Sequence, residues 1–137
     1  MTREPPYTLE ILRLAASLPL ETGLEGADGT GEARSPTCGS RMTTMVRTED
    51  GRIAAIAQSV TACAYGQASA ALLQRWAPGR LTAEVIVMRA AVKAWLEGRG
   101  ELPQGYEALR PVQERSGRHG AVLLPFDALL AALKEKA

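Results

Sequence analysis

The stretch "RMTTMVRTEDGRIAAIAQSV", residues 41–60, limits the fold more than any other part of the chain. Met42, Thr44 and Val46 fall on one side of an extended chain and Thr43, Met45 and Arg47 on the other. This period of two marks a strand with one face inward. Asp50-Gly51 then supplies the dipeptide that tight hairpin turns favour, because those turns require positive φ and glycine accepts it without a Cβ clash. The spacing predicts a β-hairpin, with a second strand along "IAAIAQSV" whose small residues give a weaker pattern.

Two strands cannot bury enough surface alone, so the rest of the chain must cover them. "YTLEILRLAASLPL" reads as a helix ending near Pro19, with Leu9, Leu12 and Ala16, and around them Ile11 and Ala15, facing the core. "AYGQASAALLQRW" starts a helix at Ala64 that stops at "APG". "LTAEVIVMRAAVKAWLEGRG" is a third helix, with Val85, Met88, Val92, Trp95 and Leu96 on one stripe and glycines just beyond it. After the connection "ELPQGYEALRPVQERSGRHG", a terminal helix carries Leu123, Leu124, Phe126, Leu130 and Leu133 inward, with Pro125 expected in its first turn. The glycine-rich segment from Glu21 to Pro36 reads as a mobile loop. The expected fold class is α+β: a small antiparallel, hairpin-based sheet packed against several α-helices, in one domain over residues 1–137.

Composition excludes several functions. Sixteen basic residues against fifteen acidic ones, with no basic cluster interleaved with aromatics, give no electrostatic footprint for nucleic acid. No apolar run is long enough for a membrane span, and "MTREPPYTLE" lacks a signal peptide's layout, so the expectation is a cytoplasmic protein. Ser59, Ser69 and His119 form no recognisable nucleophile and base arrangement, and no paired-carboxylate motif occurs, so an enzyme is not expected.

The two cysteines carry the chemistry that remains. In a reducing compartment they are reactive, metal-ligating or buried rather than bridged. Cys38 lies in "SPTCGS", between turn-forming residues. Cys63 lies where a strand gives way to a helix N-terminus, a place that favours the nucleophilic, metal-binding thiolate. His119, the only histidine, sits in the polar stretch "SGRHG".

"PTCGS" before a hairpin, "ACAYGQASA" opening a helix and "GRHGAVLLPFDALLAAL" near the C-terminus resemble, in order and spacing, the U-type iron-sulfur cluster scaffold family (NifU N-terminal, IscU and SufU-like proteins). The resemblance implies a non-enzymatic scaffold or carrier. On it, iron and persulfide sulfur from a cysteine desulfurase assemble into a [2Fe-2S] cluster that passes to apo iron-sulfur proteins; some members hold zinc instead. It implies Cys38 and Cys63 as cofactor and metal ligands, Gly39 as the glycine after the first cysteine, and His119 as a further candidate one position from the histidine that some members use. Ser40 stands where the family has aspartate, Ala121 where it has its third cysteine, and Arg118 matches a family arginine. The chain is similar to a variant subgroup without that third cysteine. A second subunit in a homo-oligomer, a small thiol such as glutathione, or a partner protein would then complete the metal's shell. Two alternatives stay open: a metal-free sulfur relay in which Cys63 accepts sulfur and Cys38 resolves it, and a degenerate scaffold acting as an interaction module.

Overall fold

The computed structural model describes residues 7–19, 23–35 and 39–135. The hairpin stands where its sequence places it. Strands β2 (Arg41–Glu49) and β3 (Arg52–Thr61) pair antiparallel. Asp50 and Gly51 both adopt positive φ, 52° and 78°. A register shift between Arg47 and Thr48 bends the ladder just before the turn. Met42, Thr44 and Val46 are buried on the inner face, with Ile56 and Gln58 beside them on β3.

A third strand lies inside the segment expected to be a mobile loop. β1 (Gly29–Arg34) pairs antiparallel with β2, from Gly29 opposite Val46 to Arg34 opposite Arg41, giving the sheet order β1-β2-β3. Its sequence, GTGEAR, contains no large apolar residue because it is covered by a helix backbone rather than by side chains. Any Cβ on Gly31 would overlap the backbone of Ala128, Ala131 and Ala132.

Four helices complete the molecule among the described residues: α1 (Leu9–Ser17), α2 (Ala64–Trp76), α3 (Thr82–Leu96) and α4 (His119–Glu135). Thr8 caps α1, its hydroxyl accepting from the Ile11 N–H at 3.1 Å. The buried face of α1 is Ile11 and Leu14, while Leu9 and Leu12 are 61% and 46% exposed. The helix is therefore rotated from the expected stripe. Tyr7, Ile11, Leu14 and Leu18 are spaced by four, three and four residues and pack on the core, and α1 lies against α2.

α2 is the central helix, and its small residues explain why. Gly66, Ala68, Ser69, Ala70 and Ala71 are buried, which lets α1, β3 and α4 all approach it. Its polar groups are matched from both sides. The Ser69 hydroxyl donates to the Val122 carbonyl on α4 at 2.7 Å. Gln58 Nε2 donates to the Ala70 carbonyl and to Gln74 Oε1, and Gln74 Nε2 donates back to Ile56. α3 buries Val85, Val92, Trp95 and Leu96, with Met88 partly buried against the same core, and is tied to α4 by Arg89–Asp127 at 2.6 Å.

The connection before α4 contains 3-10 turns over Glu107–Glu114 and Ser116–Arg118, which bury Leu109 and Val112. They lead straight into α4 at His119. Pro125 thus falls inside that helix rather than in its first turn, and its missing N–H leaves the Ala121 carbonyl without the usual helical donor. Among the described residues no helix is long and apolar enough to cross a membrane.

Candidate functional site

One end of the sheet gathers the sequence-predicted residues. At that end β1 finishes at Arg34 and β2 starts at Arg41, while β3 runs out into α2 through Ala62 and Cys63. Arg34 faces Arg41 and Arg41 faces Thr61, so all three strands share this edge. Cys38 lies outside the described residues; its described neighbours on either side are Ser35 and Gly39. Ser35 N–H donates to the Ser40 carbonyl at 2.8 Å, carrying the ladder one step past Arg34. Gly39 N–H donates to the Ser35 carbonyl at 3.1 Å. Gly39 has φ 72° and open space where a Cβ would stand, so glycine is needed there for its backbone angle rather than for room. Ser40, at the family's aspartate position, is buried at the start of β2.

Cys63 is the N-cap of α2. It is a free, half-buried thiol in extended conformation that makes no capping hydrogen bond with its side chain. Its carbonyl accepts from Gln67 N–H at 3.0 Å, and Gln67 Nε2 reaches back to the Ala62 carbonyl at 3.0 Å. Gln67, to which sequence reasoning assigned no chemistry, therefore holds the strand-to-helix turn that presents the thiol.

The start of α4 packs on the same turn. A Cβ on Gly66 would stand 2.8 Å from Ala62 Cβ and 3.4 Å from Ala121 Cβ, so only glycine lets Ala121 lie this close to the first turn of α2. Ala121 itself is fully buried. The position matched to the family's third cysteine thus lies beside the first turn of α2, which Cys63 caps, and it carries a methyl group.

His119 opens α4 but is turned to a different task. Its Nε2 lies 3.0 Å from the Val112 carbonyl and 2.9 Å from the Gln113 carbonyl, and a protonated Nε2 donates to both. The ring fastens the preceding 3-10 segment to the helix, leaving only Nδ1 with a lone pair for a metal. Among the described residues no three His, Cys, Asp or Glu side chains are grouped to hold a metal ion.

Tyr65 was also missed by sequence reasoning. Its ring is buried and meets Tyr7 edge-on at 4.9 Å. Burial raises its pKa above the usual tyrosine value, while Arg115 and Arg118 oppose that rise and Tyr7 and Cys63 add to it. Two guanidinium groups therefore act on the same side chain, Tyr65, as the Cys63 thiol. One 3-10 turn links them, with Arg118 N–H donating to the Arg115 carbonyl at 2.8 Å. The available signal was the sequence "RSGR" just before the terminal helix.

Comparisons with known proteins agree with this geometry. The family described as NifU-like N terminal domain matches residues 8–110. No curated protein matches. The crystal structure of a nitrogen-fixing NifU-like protein (N-terminal) from Brucella abortus superposes with a TM-score of 0.84 at 29% identity, over 93% of this chain and 91% of that one. A protein described as an iron-sulfur cluster assembly scaffold for the SUF system of Fervidobacterium islandicum AW-1 superposes with a TM-score of 0.81, over 93% of this chain and 96% of that one. At 20% identity it bears on the fold alone.

Proposed function

The chain belongs to the NifU-like N-terminal domain family, and from that premise we propose that it is a non-enzymatic scaffold or carrier for iron-sulfur cluster assembly in the cytoplasm. Its cargo is iron with sulfide, assembled as a [2Fe-2S] cluster and passed to apo-proteins, or zinc in the same place. Cys38 and Cys63 are the ligands, and a cysteine desulfurase is the sulfur donor. The observation that carries this reading is the position of Cys63. It caps α2 without using its thiol, at the end of the sheet where the residues flanking Cys38 also lie. Thiolates are the usual ligands of such clusters.

Anaerobic incubation with iron, a desulfurase and excess cysteine, whose thiol reduces the persulfide sulfur to sulfide and leaves as cystine, tests the reading. A visible sulfur-to-iron charge-transfer band is expected for the wild type and should be lost in Cys38→Ala and in Cys63→Ala. A wild type that stays colourless and takes up no iron defeats it. The small number of ligands favours one second reading, a metal-free sulfur relay through Cys63. Persulfide on the protein by mass spectrometry, without iron uptake, is its signature.

A further inference from the structure

The edge of the sheet beside Cys38's neighbours carries an unusual charge arrangement. Arg34 and Arg41 are direct partners in the β1–β2 ladder. Like charges at facing positions repel, so this pair opposes the strand pairing it sits in. Glu32 offsets Arg34 through an exposed contact at 2.8 Å, but Arg41 has no ion pair among the described residues. Arg47, Arg75, Arg115 and Arg118 likewise make no ion pair among the described residues, so what marks this edge is the direct facing of Arg34 and Arg41 in the ladder.

The two arginines border a cleft of about 650 Å³, lined also by Ser35, Gly39, Ser40 and Thr61. That volume is in the range of small-molecule sites. Guanidinium groups bind carboxylates through paired, charge-assisted hydrogen bonds, and hydroxyls beside them add donors. The chain itself contains only two thiols, whereas a [2Fe-2S] cluster commonly takes four thiolates.

We propose that this cleft binds a small carboxylate-bearing thiol, held through its carboxylates by Arg34 and Arg41, whose sulfur supplies a ligand that the chain lacks. Ligation forms an iron-sulfur coordinate bond and releases the thiol proton to solvent, with no change of oxidation state. Thr61 lines the cleft and stands two residues before Cys63 in the chain. The thiol's role rests on the scaffold reading above, whereas the anion site is independent of it.

S-methylglutathione keeps the carboxylates but cannot ligate through a thiolate, so it probes the anion site alone. Titrated into the metal-free protein, it should shift amide resonances at residues 34, 35, 39–41 and 61. Binding should weaken by about tenfold in Arg41→Gln and weaken further as salt is raised. Both arginines are exposed, and an unchanged melting temperature checks that the variant folds. No shifts at the cleft, or equal binding by Arg41→Gln, overturns the proposal. In reconstitution from iron and inorganic sulfide, with cysteine and desulfurase left out, reduced glutathione should preserve the chromophore longer than 2-mercaptoethanol, which has no carboxylate, and Arg41→Gln should erase the difference. An equally lasting chromophore with either thiol, or with none, overturns the ligand role. Binding of S-methylglutathione without a chromophore under any thiol would leave the anion site standing and bring down the scaffold reading.

Discussion

Gly31 and Ala132 meet backbone against backbone, with α4 resting directly on the edge strand β1. A side chain at Gly31 has nowhere to go, because the atoms it meets are main-chain atoms of Ala128, Ala131 and Ala132, which cannot rotate aside. Gly31→Ala should therefore destabilise the protein by about 3 kcal/mol, the upper part of the range for overpacking a core. Urea denaturation checks this. A loss below about 0.5 kcal/mol would mean that α4 and β1 separate more easily than the packing indicates.

Tyr106 gives the opposite expectation. Its ring packs near Phe126, with centroids 6.1 Å apart, and its buried hydroxyl has no hydrogen-bond partner among the described residues. Burial raises its pKa well above the usual tyrosine value. An unpartnered hydroxyl in an apolar site costs more than it returns. Tyr106→Phe should accordingly leave stability unchanged or raise it by about 1 kcal/mol, read as a higher denaturation midpoint with the same urea slope. A clear loss of stability would show that the hydroxyl is satisfied.

These two residues also show how far the sequence can be read. The hairpin was legible because Asp50-Gly51 and the alternation around it are local signals of backbone angle and face. β1 was not, because it is selected by the absence of side chains: Gly29 and Gly31 look like loop residues until α4 is laid over them. The rotation of α1 was hidden for a related reason. Leu9 and Leu12 are as apolar as Ile11 and Leu14, and only the position of α2 decides which pair is buried. At the site, Cys63 was legible as a helix N-cap from "ACAYGQ", whereas the use of His119 was not. Its partners, Val112 and Gln113, lie in a 3-10 stretch with no period for sequence reasoning to detect.

Acid stability should depend on Glu97. Lys93, donating at 2.8 Å, and then Arg99 hold its carboxylate, lowering its pKa from 4.5 to about 2. The Leu81 N–H and the Arg80 guanidinium lower Glu84 in the same way. A carboxylate with a depressed native pKa binds fewer protons folded than unfolded. Its stabilisation is complete above about pH 4.5 and is lost as the pH falls towards about 2. The melting temperature should fall through that window, and Glu97→Gln should make the fall shallower. Because these groups are exposed, the effect should be small and should shrink in high salt. An identical pH profile for wild type and Glu97→Gln would remove this ion pair from the account.

Ala121 offers the most direct test of the incomplete site. Its Cβ lies 3.4 Å from where a Gly66 Cβ would be, in the turn that follows Cys63. Placing a thiol there should supply a further ligand close to Cys63. Because Ala121 is fully buried, the added sulfur should cost about 1–2 kcal/mol of folding stability. Ala121→Ser has nearly the same size and no thiolate, so it should share that cost without the gain. After anaerobic reconstitution without added thiol, Ala121→Cys should retain its chromophore about ten times longer than wild type, equivalent to roughly 1.4 kcal/mol, while Ala121→Ser should not. If both variants lose the chromophore at the wild-type rate, position 121 does not face the cargo, and the similarity to the three-cysteine scaffolds does not extend to the ligand geometry.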